Sequence, residues 1–199
     1  MQSMNTDVLK KIKRKNFEIW EQINHIKEIR KRGKTANTEL IIPLPGETKE
    51  TYFEAIKFLM DNGVMTNTYT LMMLCGAELG RDAAIKKFDM ESKFRILPKQ
   101  FGEYREKKVF EIEQVCISTN TMNFENYLIC RNYSFILKVL TQQIFAPIQK
   151  LAQKFDLSWY EITRDFANIL DDKNYTGNFK KLYDGFCNES FTELFESKE

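Results

Sequence analysis

A chain of 199 residues, 43% hydrophobic and 13% aromatic, is long and apolar enough to bury a sizeable core, which excludes an intrinsically disordered segment. Thirty basic residues against twenty-eight acidic ones leave a net charge of +2, so bulk electrostatics selects neither nucleic acid nor an acidic membrane surface. Cys75, Cys116, Cys130 and Cys187 follow no Cys-x-x-Cys spacing and read as reduced thiols of a cytoplasmic protein, and no apolar run approaches the roughly 20 residues a membrane-spanning helix needs.

In chain order, Ser3 or Asn5 caps a first short helix in which Val8, Leu9 and Ile12 share a face. A second helix runs from Phe17 to about Lys31, with Ile19, Ile23 and Ile26 at helical spacing and Gly33 as its stop. The basic runs Lys10 to Lys15 and Arg30 to Lys34 read as solvated helix faces, and His25, the only histidine, as a structural residue without an acidic or thiol partner at ligand spacing. Thr38 to Leu44 is an apolar strand that ends in the turn Pro45-Gly46-Glu47. Thr48 then caps a helix with Tyr52, Phe53, Ile56, Leu59 and Met60 as its stripe and Gly63 as its end. A second strand follows from Asn67 to Leu74, closed by Cys75-Gly76; helix, strand, helix, strand with short turns predicts parallel pairing.

After Gly80 the pattern changes. A short helix over 81–90 leads into Phe94 to Tyr104, which contains Pro, Gly and aromatics without a steady period and reads as an ordered loop. Phe110 to Ile117 is a strand. From Met122 onward the chain is helical, with Pro147 kinking or ending one helix and Ser158-Trp159-Tyr160-Glu161 forming a capping box at the start of another. A last helical piece carries Phe179, Leu182, Tyr183, Phe186, Phe191 and Leu194. There are no internal repeats and no low-complexity segment.

Self-contained catalysis has few parts to draw on. A single histidine, no Gly-x-Ser-x-Gly elbow, no Gly-x-Gly-x-x-Gly and no Walker-type loop leave neither a nucleophile with its base nor a phosphate cradle by those routes. Asp61, Asp82, Asp89, Asp171 and Asp172 fall at helix ends or in polar turns, where capping or solvation is their ordinary role. No catalytic residue and no metal ligand is assigned.

Three segments nevertheless carry a resemblance. Gln2 to Lys10, Thr38 to Thr48, and Leu71 to Leu79 resemble three successive landmarks of the radical S-adenosylmethionine enzymes, in the same order. Phe94 to Pro98 with Phe101-Gly102, and Thr119 to Met122, are similar to the C-terminal part of the cobalamin-binding branch. The likeness extends to about Arg131. It implies an α/β fold: the C-terminal part of a partial (β/α)6 TIM-like barrel, from the end of its fourth strand, over residues 1–80, followed by a mainly helical extension with one strand over 81–199. It also implies that Gln2 and Ser3 contact the amino acid part of S-adenosylmethionine, that Leu40 and Ile41 pack on its adenosine, and that Leu71, Met72 and Met73 line the adenine.

This chain departs from the family pattern in several places. Pro43 stands where many relatives have glycine, and Cys75 and Ala77 where proline and threonine are common. The Cys-x-x-x-Cys-x-x-Cys loop that holds the 4Fe-4S cluster and the Asp-x-His-x-x-Gly of the cobalamin domain are both absent. The resemblance therefore implies a C-terminal portion that binds S-adenosylmethionine and a small-molecule or peptide substrate, while an N-terminal barrel half, in the same or a separate chain, brings the cluster and cobalamin. The competing expectation is a non-catalytic interaction module, or the remnant of a decayed enzyme, in which the aromatic helices bind a partner.

Overall fold

The computed structural model describes residues 2–34 and 36–197; Met1 and the side chains of Ile19 and Arg30, which the sequence reading also used, lie outside the described residues. The first helix, α1 (Thr6–Lys11), starts where Asn5 Oδ1 accepts from the backbone N–H groups of Asp7 and Val8, and it buries Val8 and Leu9. The second, α2 (Ile19–Lys31), is followed by Gly33 at φ +69°, a left-handed residue that lets Lys34 N donate back to Ile29 O.

Strand β1 (Ala36–Ile42), helix α3 (Lys49–Asp61) and strand β2 (Val64–Thr70) form the expected order of elements, but β1 ends at Ile42 rather than Leu44 and β2 starts at Val64 and ends at Thr70 rather than running from Asn67 to Leu74. The two strands pair in parallel over their full length, Ala36 opposite Val64 and Ile42 opposite Thr70. Thr48 Oγ1 accepts from Thr51 N and Thr51 Oγ1 accepts from Thr48 N, a reciprocal cap that sets the start of α3. Past β2 the chain runs on beside a later strand and is joined to it by Met73 N donating to Gln114 O and Cys116 N to Leu71 O.

Helix α4 (Asp82–Phe88) leads into β3 (Glu91–Tyr104), which pairs antiparallel with β4 (Lys107–Ser118). The loop expected over 94–104 is therefore a strand, and the C-terminal extension holds two strands rather than one. The periodicity failed for a local reason. Ile96 faces Ile112 and Phe101 faces Phe110, so the four residues 97–100, including Pro98 and the left-handed Lys99, bulge opposite Glu111 and break the alternation. The hairpin closes through Arg105 and Glu106, both at positive φ, a turn whose usual sequence signal is Asn-Gly.

Four further helices follow: α5 (Phe124–Leu140), α6 (Ala146–Lys154), α7 (Trp159–Asp171) and α8 (Asn178–Thr192). Pro147 opens α6 instead of ending a helix, because the first turn has no acceptor for the N–H that proline lacks. At α7, Ser158 Oγ accepts from Glu161 N at 3.3 Å, while the Glu161 carboxylate points toward Lys57.

The packing has two centres. Leu40 and Ile42 of β1 meet Tyr52, Ile56 and Leu59 of α3 and Tyr127, Ile136 and Leu137 of α5, with Leu170 and Tyr183 closing the outside. Burial of each such side chain contributes about 1.5–3 kcal/mol. The second, smaller centre lies where the parallel strands end, with Val8 and Leu44 against Leu71, Met73, Phe88, Met90 and Cys116. The chain is thus α/β, with helices covering one face of a small parallel sheet and an antiparallel hairpin extending from it. No helix among the described residues is long and apolar enough to cross a membrane.

Candidate functional site

The carboxyl end of β1 is where the sequence segments named above converge. Leu44 turns back to Glu47, whose N–H donates to Leu44 O at 2.9 Å, and Pro43, Leu44 and Pro45 are buried in the turn. Gly46 sits at φ +93°, so the turn needs glycine for its dihedral, and the Lys11 side chain lies over the space a Cβ would take. Thr121 holds the turn from the other side, accepting from Gly46 N at 3.1 Å and donating to Glu47 O at 2.8 Å.

Glu47 is the centre of the cluster. Its carboxyl is only 4% exposed; Ser3 Oγ donates to Oε2, and Thr51 Oγ1 donates to Oε1 at 2.5 Å. Burial pushes its pKa above the ordinary carboxylate value, and the two hydroxyl donors offset part of that rise. Ser3 in turn accepts from Asn5 N at 3.0 Å, and its carbonyl accepts from Asn16 Nδ2 at 2.8 Å. Immediately before it, Gln2 O accepts from Ile41 N at 3.0 Å, placing the start of the described chain against the edge of β1. Sequence reading did not single out Glu47; a Glu followed four residues later by Thr is also ordinary surface-helix composition.

The residues expected to bind ligand are separated by the pleat. The register puts Asn37, Glu39 and Ile41 on one face with Met65, Asn67 and Tyr69, and Glu39, Met65 and Tyr69 on that face are exposed. Ile41 therefore lies on the open side, while Leu40, 2% exposed, points the other way into the helical core. Met72 is 44% exposed and lies opposite Val115, a residue of the first packing centre, whereas its neighbours Leu71 and Met73 are buried in the second centre with Val8 and Phe88. Gln2 is half-buried and Ser3 is buried and engaged by Glu47.

A second polar group gathers at the end of β2. Thr70 Oγ1 and Tyr127 OH are 3.1 Å apart, and the Arg131 guanidinium reaches Ser190 Oγ at 3.0 Å and the Glu193 carboxylate at 2.5 Å. Glu193 also takes Arg95, which is bound to Glu113 as well. These carboxylates and guanidiniums pair with one another, so the group reads as a clamp between the hairpin and the helices.

Nothing in these clusters makes a self-contained catalyst. Burial pushes the Cys116 and Cys130 thiols up to about 12, which keeps them protonated and poor nucleophiles. His25 is exposed on α2 and stands edge-on to Phe17 at 5.5 Å between ring centroids. Among the described residues no three His, Cys, Asp or Glu side chains are grouped to hold a metal ion. Neither a protein-family model nor a curated protein matches the chain.

Proposed function

We propose that this chain is the C-terminal part of a radical S-adenosylmethionine enzyme of the cobalamin-binding branch, forming the last strands of a partial (β/α)6 barrel and binding S-adenosylmethionine and substrate. The observation that carries the reading is the seating of Gln2 against Ile41 at the end of β1, an edge that has no strand partner among the described residues. A strand of the preceding barrel half that runs into Gln2 would extend the parallel sheet on that edge.

The thiols of this chain do not fit an iron–sulfur cluster. Cys75 is exposed, Cys116 and Cys130 are buried and Cys187 is intermediate, and no ligand group forms among the described residues. The only histidine lies out on α2, so no cobalamin ligand is assigned either. In this reading the cluster and cobalamin belong to the other half. This chain contributes Ile41 as an apolar wall for the adenosine, packed against the centre that holds Leu71 and Met73, with Met72 exposed past the end of β2 and Leu40 supporting β1 from behind. The Ser3–Glu47 bond holds Gln2 at the mouth, where its amide can meet the amino acid part of the ligand.

The test is calorimetry with S-adenosylmethionine, on the full chain alone and mixed with a separately produced barrel half that carries the three-cysteine loop. Association of the halves with binding of S-adenosylmethionine by the mixture is expected. A monodisperse chain that neither associates nor contributes to binding would overturn the reading. It would favour the interaction module, which the exposed apolar residues Leu182, Phe191 and Phe195 at the C-terminal end support.

A further inference from the structure

The far half of the β3–β4 hairpin leaves the body of the protein. Near its base, β4 is held from its outer side by Met73 N donating to Gln114 O and by Cys116 N donating to Leu71 O, and β3 is held by Phe195 N donating to Phe94 O. Beyond those bonds, residues 98–112 are all exposed. Two strands with neither a third strand nor a helix against them are marginally stable in water. The same stretch carries Phe101, Tyr104, Val109 and Phe110, each more than half exposed.

The two outer edges differ. On β3, Pro98 and the left-handed Lys99 bulge out of the ladder and interrupt the edge for any further strand. The outer edge of β4 is continuous. Backbone N–H and C=O groups alternate between the two edges of a strand, and those of Gln114 and Cys116 point outward, so those of Lys108 and Phe110 do as well. Lys107, opposite Tyr104 beside the two-residue turn, and Val109 direct theirs toward β3. The segment Lys107-Lys108-Val109-Phe110-Glu111 is complementary to itself when run antiparallel. With Val109 opposite Val109 of a second copy, Lys107 faces Glu111 in both directions and the outward groups of Lys108 meet those of Phe110. Centring the pair on Lys108 would set the two Lys108 side chains against each other, and centring it on Phe110 would set Val109 against Glu111.

We propose that the protein forms a two-fold dimer through the outer edge of β4, Lys107 to Glu111 pairing antiparallel with the same residues of a second copy to give a continuous sheet β3–β4–β4–β3. The interrupted edge of β3 closes the assembly at two chains. The pairing covers backbone edges and leaves the Phe101 and Phe110 rings on an open face. So short a segment makes a small contact, and the dimer therefore exchanges reversibly with monomer. The hairpin lies apart from the proposed S-adenosylmethionine face, and the dimer does not rest on that reading.

The test is sedimentation velocity of the full chain from about 10 µM to about 500 µM, a range that reads weak association. A concentration-dependent shift from monomer to dimer is expected. Lys108→Pro removes an outward N–H and no bond to β3, so it should abolish the shift. Lys107→Glu and Glu111→Lys each set like charges opposite one another and should weaken self-association at least about tenfold. An equal mixture of those two variants should dimerise, because each cross-pair again joins a lysine to a glutamate. In a Cys75→Ser background, Val109→Cys should give a disulfide-linked dimer under mild oxidation, since the two copies of residue 109 meet at the axis as a pair without hydrogen bonds between them. A chain that stays monomeric at about 500 µM overturns the proposal. Association that Lys108→Pro leaves intact overturns it too, and moves the contact to another edge such as that of β1. A mixture of the charge variants no more associated than either alone overturns the register.

Discussion

Ser3, Glu47 and Thr51 form a small circuit in which one buried carboxyl holds the start of the chain, the strand-end turn and the first turn of α3 together. Because burial raises the Glu47 pKa, the folded protein binds that proton more tightly than the unfolded chain does. The stability Glu47 contributes is therefore full below the ordinary carboxylate value of 4.5 and is lost as pH rises through the raised folded value. Glu47→Gln keeps an acceptor and carries no charge, so in urea denaturation it should gain on the wild type as pH climbs above that value. A difference that stays flat, or reverses, would remove the buried ionisable carboxyl from the account. The thiols supply a second check at this scale. Cys75 is exposed while burial holds the Cys116 and Cys130 thiols at about 12, so iodoacetamide at neutral pH should label Cys75 in the native protein and reach the other two only on unfolding. None of this was readable beforehand, because burial of a glutamate depends on what the fold stacks over it; Gly46, by contrast, announced its turn.

Among the elements, α3 was legible in full: the Thr48 cap, the stripe of Tyr52, Ile56 and Leu59 and the Gly63 stop all act locally, within one or two turns of chain. Thr48→Ala should cost about 1 kcal/mol in chemical denaturation, because it removes the Thr48 Oγ1 acceptor of Thr51 N while Thr48 N still donates to Thr51 Oγ1. The β3–β4 hairpin was not legible. Its alternation is interrupted at 97–100, its turn is Arg-Glu, and Phe101 and Phe110, with ring centroids 6.4 Å apart, remain 72% and 56% exposed. Those rings lie outside the packed centres, so Phe110→Thr should change stability by no more than about 0.5 kcal/mol. Ile56→Ala, at a fully buried position, should cost about 2–5 kcal/mol. Comparable losses at the two positions would mean that the hairpin tip is packed in solution.

At the scale of the whole molecule, distant parts are joined through Glu193, which brings Arg131 of α5 and Arg95 of β3 to the end of α8. Glu193→Gln leaves Arg131 without its carboxylate while Arg95 keeps Glu113, at a cost of about 1–3 kcal/mol, given that these side chains are mostly but not fully buried. Limited proteolysis should then cut the C-terminal helix earlier than in the wild type; an unchanged digestion pattern would assign the docking of α8 to its aromatic contacts, such as Phe135 against Phe186. The free edge of β1 belongs to this scale too, since an unpaired strand edge invites pairing with another chain. The sequence by itself determined the parallel β1–α3–β2 order and the cap and stop of α3, because hydrophobic period and turn chemistry act over a few residues, but not the ends of the two strands. Only the tertiary structure decided that Leu40 and Ile41 face opposite ways into different environments, and that Ser3 meets Glu47 across 44 positions of sequence. Those relations depend on which faces pack against one another, and that is set by burial summed over the whole chain rather than by any local pattern.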